Sequence, residues 1–73
     1  MRHETDPITR GIKRIIADRG LIQAAVARRA GFTPQQLTCM LHGRKIIRAI
    51  DLFRIADALG VTAQEVYDAG AEE

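Results

Sequence analysis

Between Asp6-Pro7 and Arg19-Gly20 the apolar residues Ile8, Ile12, Ile15 and Ile16 fall three and four positions apart, with Arg10, Lys13 and Arg14 off their stripe. That spacing gathers the isoleucines on one side of a helix and predicts that the side is covered by other elements. Asp6 suits the N-cap and the positive end of the helix dipole, while Pro7 suits the first helical position, where no N–H is needed. Gly11 lies inside this helix at a cost in propensity and can permit close packing, although its neighbours in sequence do not decide why it is there. A second helix opens at Gln23, after Leu21 and Ile22, and carries Val26 and Ala30 inward.

The sharpest local signal is Ala30-Gly31-Phe32-Thr33-Pro34-Gln35-Gln36, which puts a helix stop and a helix start within a few residues. Gly31 can adopt the left-handed conformation that closes a helix. Thr33 is a good N-cap, Pro34 fits the first helical position, and Gln36 three residues after the cap completes a capping box. Two short helices therefore meet at a steep angle, and Ala27 is small enough to let them approach closely. The second one turns Leu37 and Met40 inward and leaves Pro34, Gln35, Thr38, Cys39 and His42 as a polar face without a carboxylate. Leu52, Ile55, Ala56 and Leu59 mark a fourth helix that stops at Gly60, with Phe53 off its stripe. Thr62 with Glu65 predicts a capping box for a fifth, and Val61 with Val66 a hydrophobic staple.

At these residues the chain resembles the lambda repressor and Cro family of helix-turn-helix regulators, of the xenobiotic-response-element type. The matching features are Gln23 opening the first motif helix, Ala27 within it, Gly31 in the turn, the Thr33 cap, apolar Leu37 and Met40, and Gly43 at the end of the second. The likeness extends to Ile8–Ala17 as a first helix, to the segment LFRIADALGV as a fourth and to Thr62–Tyr67 as a fifth. It implies a compact all-α, five-helix lambda-repressor-like DNA-binding domain with the helix-turn-helix at helices 2 and 3. The implied activity is sequence-specific regulation of transcription, by a Cro-like repressor that binds double-stranded DNA as a homodimer on a pseudo-palindrome. Two such copies would set their recognition helices roughly 34 Å apart.

The resemblance also assigns roles. Base-reading positions correspond to Thr33, Pro34, Gln35, Gln36, Thr38 and Cys39. Gln35 is the leading reader, because a glutamine amide can form a bidentate pair with adenine. Gln36 serves either a base or the capping box, and Thr38 either bonds a base or meets a thymine methyl. Cys39 reads as a small half-buried hydrophobe in preference to a redox sensor. Gln23, His42, Arg44, Lys45 and Arg48 are the phosphate-contact candidates, and Phe53, Val61 and Tyr67 the dimer-contact candidates. Many relatives carry a glutamine where this chain has Pro34, so the pairing of that residue with Gln23 is not expected here. Several phage-repressor relatives pair an arginine and a glutamate at the positions of Ile16 and Leu41; in this chain an apolar contact is expected in their place.

Length and charge narrow the alternatives. Seventy-three residues make one domain, and a chain of this size buries only roughly 60% of its unfolded surface, which leaves little room for an enzyme pocket. The single cysteine excludes an intramolecular disulfide, and no metal-ligand spacing or cofactor motif is present, so neither an enzyme nor a metalloprotein is expected. No apolar run is long enough to span a membrane and MRHETDP lacks a signal-peptide core, which predicts a cytoplasmic protein of bacterial or phage origin. Residues 1–6 read as an N-terminal arm and 68–73 as a fraying acidic tail, with no residues left for a separate sensing or oligomerisation domain. Net charge is only +2, but residues 10–48 hold nine cations against Asp18 alone, whereas residues 49–73 hold Arg54 against six carboxylates. The asymmetry predicts one face turned toward a polyanion. Two readings that keep the fold remain open at this stage: an antitoxin whose acidic half meets a basic toxin, and a protein-interaction module that does not bind DNA.

Overall fold

The computed structural model describes residues 6–71. Five helices follow one another: α1 (Pro7–Asp18), α2 (Gln23–Ala30), α3 (Pro34–Leu41), α4 (Ala49–Leu59) and α5 (Ala63–Ala71). Most of their ends are set by neighbours in sequence. Asp6 accepts a hydrogen bond from the Thr9 N–H at 2.8 Å and caps α1. Reciprocal bonds form at the two predicted boxes, between Thr33 and Gln36 at 2.8 and 3.1 Å and between Thr62 and Glu65 at 3.0 and 3.1 Å. Gly31 and Gly60 close α2 and α4 in the left-handed conformation, at φ of 88° and 76°.

The core is continuous. Ile12, Ile15 and Ile16 of α1 are buried with Val26, Ala27 and Ala30 of α2, Leu37, Met40 and Leu41 of α3, Ile55, Ala56 and Leu59 of α4 and Val66 of α5. Ile8, Leu52 and Val61 pack against it. Ile16 and Leu41 thus share one apolar cluster, without a charged pair between them. Both helices of the turn contribute an alanine or leucine at full burial, Ala27 and Leu37, which is what a close approach requires.

The tightest packing lies elsewhere, where α1 crosses α5. Gly11 and Gly70 are both buried there. A Cβ on Gly11 would overlap the Val66 carbonyl oxygen, and one on Gly70 would overlap the Pro7 carbonyl oxygen and lie 2.6 Å from the Gly11 nitrogen. Gly11 is therefore required by backbone-to-backbone contact. The expected tail needs correction as well: α5 runs through Asp68 to Ala71, held by the Arg10 guanidinium, whose Nε and Nη2 donate to the Gly70 carbonyl oxygen at 3.0 and 2.7 Å. The expected arm at 1–5 and the last two residues of the tail lie outside the described residues. Asp6, included in the expected arm, is the α1 cap.

Candidate nucleic-acid interface

α3 is presented by its burial pattern. Leu37, Met40 and Leu41 anchor one side in the core, so the other side must face outward: Gln35 and His42 are exposed, and Pro34, Thr38 and Cys39 are half-buried. The Thr33–Gln36 box occupies the Thr33 hydroxyl and the Gln36 side-chain oxygen, giving these two candidate readers a local task. The Gln35 side chain makes no hydrogen bond among the described residues, and its amide can engage a ligand without breaking one.

Gln23 opens α2, and its Nε2 donates to the Thr38 hydroxyl at 3.0 Å. Thr38 in turn donates to the Pro34 carbonyl oxygen at 2.9 Å. Gln23 has thus bypassed Pro34, which offers no side-chain partner, and meets α3 one turn further on. α2 itself starts at Ile22 without a side-chain cap. Its first N–H groups are left for another acceptor, and an anion is the acceptor that the helix dipole favours.

The segment after α3 folds back on it. The Gly43 N–H donates to the Met40 oxygen at 3.3 Å and the Arg44 N–H to the Cys39 oxygen at 2.9 Å, with Gly43 at a φ of 74°. Arg44 and Lys45 are held beside the end of α3, exposed and with no side-chain hydrogen bond or ion pair among the described residues. Arg48 is exposed too, but it is tied at its base: Asp51, buried at the start of α4, accepts from the Arg48 N–H at 3.1 Å and lies 3.5 Å from its Nε. Asp51 was missed at the sequence level; its signal was the three-residue offset from the residue before α4. Arg28 and Arg29 are exposed at the end of α2.

The cations of residues 10–48 do not all contribute to a polyanion-facing surface, because three of them are engaged within the fold around α1. Arg10 caps the carbonyl end of α5, Arg14 approaches the Ala69 oxygen at 3.5 Å and Asp18 at 3.8 Å, and Arg19 donates to the Leu59 oxygen at 3.0 Å at the end of α4. These guanidiniums answer the partial negative charge of helix C-termini. Of the dimer-contact candidates, Phe53 and Tyr67 are exposed whereas Val61 packs partly into the core. Ile46 and Ile50 join Phe53 as exposed apolar side chains; Ile50 precedes Phe53 by three residues and stands off the Leu52–Leu59 stripe, a pattern readable from the sequence.

A helix-turn-helix family model matches residues 12–66. An uncharacterized HTH-type transcriptional regulator of Sinorhizobium fredii (strain NBRC 101917 / NGR234), y4dJ, is 38% identical over 53 residues, spanning 73% of this chain and 69% of that protein. The crystal structure of the clp gene regulator ClgR from Corynebacterium glutamicum superimposes with a TM-score of 0.84 at 21% identity, over 97% of this chain and 92% of that one. The restriction-modification controller protein C.AhdI from Aeromonas hydrophila gives 0.76 at 16% identity, over 85% and 94%. At such identities the two structures establish a shared fold. Family match, curated relative and fold agree with the capped α2–α3 pair: the chain belongs to the lambda repressor and Cro type of helix-turn-helix transcriptional regulators.

Proposed function

We propose that this protein is a sequence-specific, Cro-like repressor that lays α3 in the DNA major groove and binds a pseudo-palindromic operator as a homodimer. The observation that carries the reading is the outward face of α3, where the uncommitted amide of Gln35 lies on a helix whose start is locked by its own capping box. Gln35 reads a base edge; Thr38 and Cys39 line the same face, with Pro34, Thr33 and Gln36 at its start. Gln23 and the uncapped start of α2 hold a phosphate on one side of the groove. Arg44, Lys45, Arg48 and His42 hold the backbone on the other; the side chains of Arg44, Lys45 and His42 leave no partner among the described residues to do so, whereas Arg48 stays anchored at its base by buried Asp51. Exposed Phe53 and Tyr67, with Ile46 and Ile50, supply apolar surface for a second copy.

Selection of bound sequences from a random duplex pool, followed by titration of the winner at two salt concentrations, tests this. The expected result is a palindromic consensus with half-sites about one helical turn apart. Weak binding that is wholly salt-driven, with no consensus, would overturn it.

A further inference from the structure

Thr38 is half-buried on the outward side of α3, and its hydroxyl is already occupied in the absence of DNA. A threonine hydroxyl has one proton to give and two lone pairs. The proton goes to the Pro34 carbonyl oxygen at 2.9 Å, and one lone pair accepts from Gln23 Nε2 at 3.0 Å. With the proton held, Thr38 has nothing to donate to guanine O6 and N7, thymine O4 or adenine N7, the acceptors of the major groove. The remaining lone pair belongs to an oxygen already joining two helices. What the residue can still offer a base is its methyl group, and the one base edge in the groove that presents a methyl is thymine.

We propose that Thr38 reads a thymine by methyl contact, and that its hydroxyl serves as a positioning group, orienting the Gln23 amide across the two helices of the motif. The inference rests on the DNA-reading function proposed above. Base recognition on α3 is then divided, with polar readout at Gln35 and apolar readout at Thr38. Gln23 keeps its second amide proton and its oxygen at the start of α2, where a phosphate would lie.

The test uses the full chain and two substitutions that separate the two roles. Thr38→Val keeps a methyl and removes the hydroxyl; Thr38→Ser keeps the hydroxyl and removes the methyl. The probes are the tightest duplex from the random pool and the same duplex with deoxyuridine replacing each thymine of a half-site in turn. Burial of one methyl is worth roughly 4-fold in affinity, so wild-type protein is expected to lose about that factor at one thymine position. Thr38→Val should keep this thymine preference while weakening all duplexes alike, and Thr38→Ser should abolish it. In the DNA-free protein, the Gln23 side-chain amide resonances should move in Thr38→Val and stay in place in Thr38→Ser.

Retention of the thymine preference by Thr38→Ser, or its loss in Thr38→Val, overturns the methyl reading while leaving DNA binding intact, as does a wild-type protein indifferent to every deoxyuridine. Unmoved Gln23 resonances in Thr38→Val overturn the positioning role without reference to DNA. A pool that yields no consensus defeats the base-reading function itself, and this inference with it.

Discussion

α1 and the junction between α3 and α4 are both rich in cations, and the fold uses them in opposite ways. Arg10 on α1 and Arg19 just after it donate to the carbonyl ends of α5 and α4, 60 and 40 residues away, at 2.7 to 3.0 Å. After α3, the chain at Gly43 and Arg44 is fixed by backbone hydrogen bonds and glycine geometry while the side chains of Arg44 and Lys45 stay exposed. The difference is a matter of what lies within reach. Helix C-termini carry unpaired carbonyls, and at α5 and α4 a guanidinium takes one; at the end of α3 the N–H groups of His42, Gly43 and Arg44 already take the Thr38, Met40 and Cys39 oxygens. Formal charge along a chain therefore overstates the surface available to a polyanion.

That contrast can be broken from either side. The largest effect is expected at the α1–α5 crossing, where Gly70→Ala would gain up to about 1 kcal/mol in helix propensity but force two backbones apart, for a net loss of about 3 kcal/mol or more in urea unfolding. Next comes Gln35→Ala, which should reduce discrimination at one or two base pairs by about 1–3 kcal/mol without changing the unfolding midpoint. Arg10→Met removes two bonds to a partly buried carbonyl and should cost about 1–2 kcal/mol of stability. It should leave the salt dependence of DNA binding unaltered, and a flatter salt slope would place Arg10 among the phosphate contacts instead. Lys45→Ala is the converse case: stability within about 0.5 kcal/mol of wild type, with affinity lowered on all sequences alike and a log–log salt slope smaller by about 1.

Much of this architecture is written in short-range pairs. Asp6 with Thr9, Thr33 with Gln36 and Thr62 with Glu65 lie three residues apart, so the helix starts, and with them the outward face of α3, follow from local chemistry. Gly31 and Gly60 mark two of the stops by the same logic. What could not be read depends on helices that meet only in the fold. Gly70 sits beside Asp68, Glu72 and Glu73, so it reads as part of a solvated tail until α1 is packed against it. Gly11 has no local rationale, because its reason is the backbone of α5. The Gln23–Thr38 bond joins residues 15 apart on two helices and depends on their crossing geometry. Pro34 offers Gln23 no side-chain partner, and the sequence does not name the residue that takes that place.

The most direct test of the central claim, that this chain reads DNA through α3, is a comparison of wild type and Gln35→Ala on the selected duplex and on a scrambled duplex of equal length, each at two salt concentrations. The account predicts that the ratio of specific to non-specific affinity falls by about 5-fold or more in the variant, with parallel salt slopes for the two proteins. An unchanged ratio, with both duplexes weakened equally, would contradict it and remove Gln35 from the reading surface.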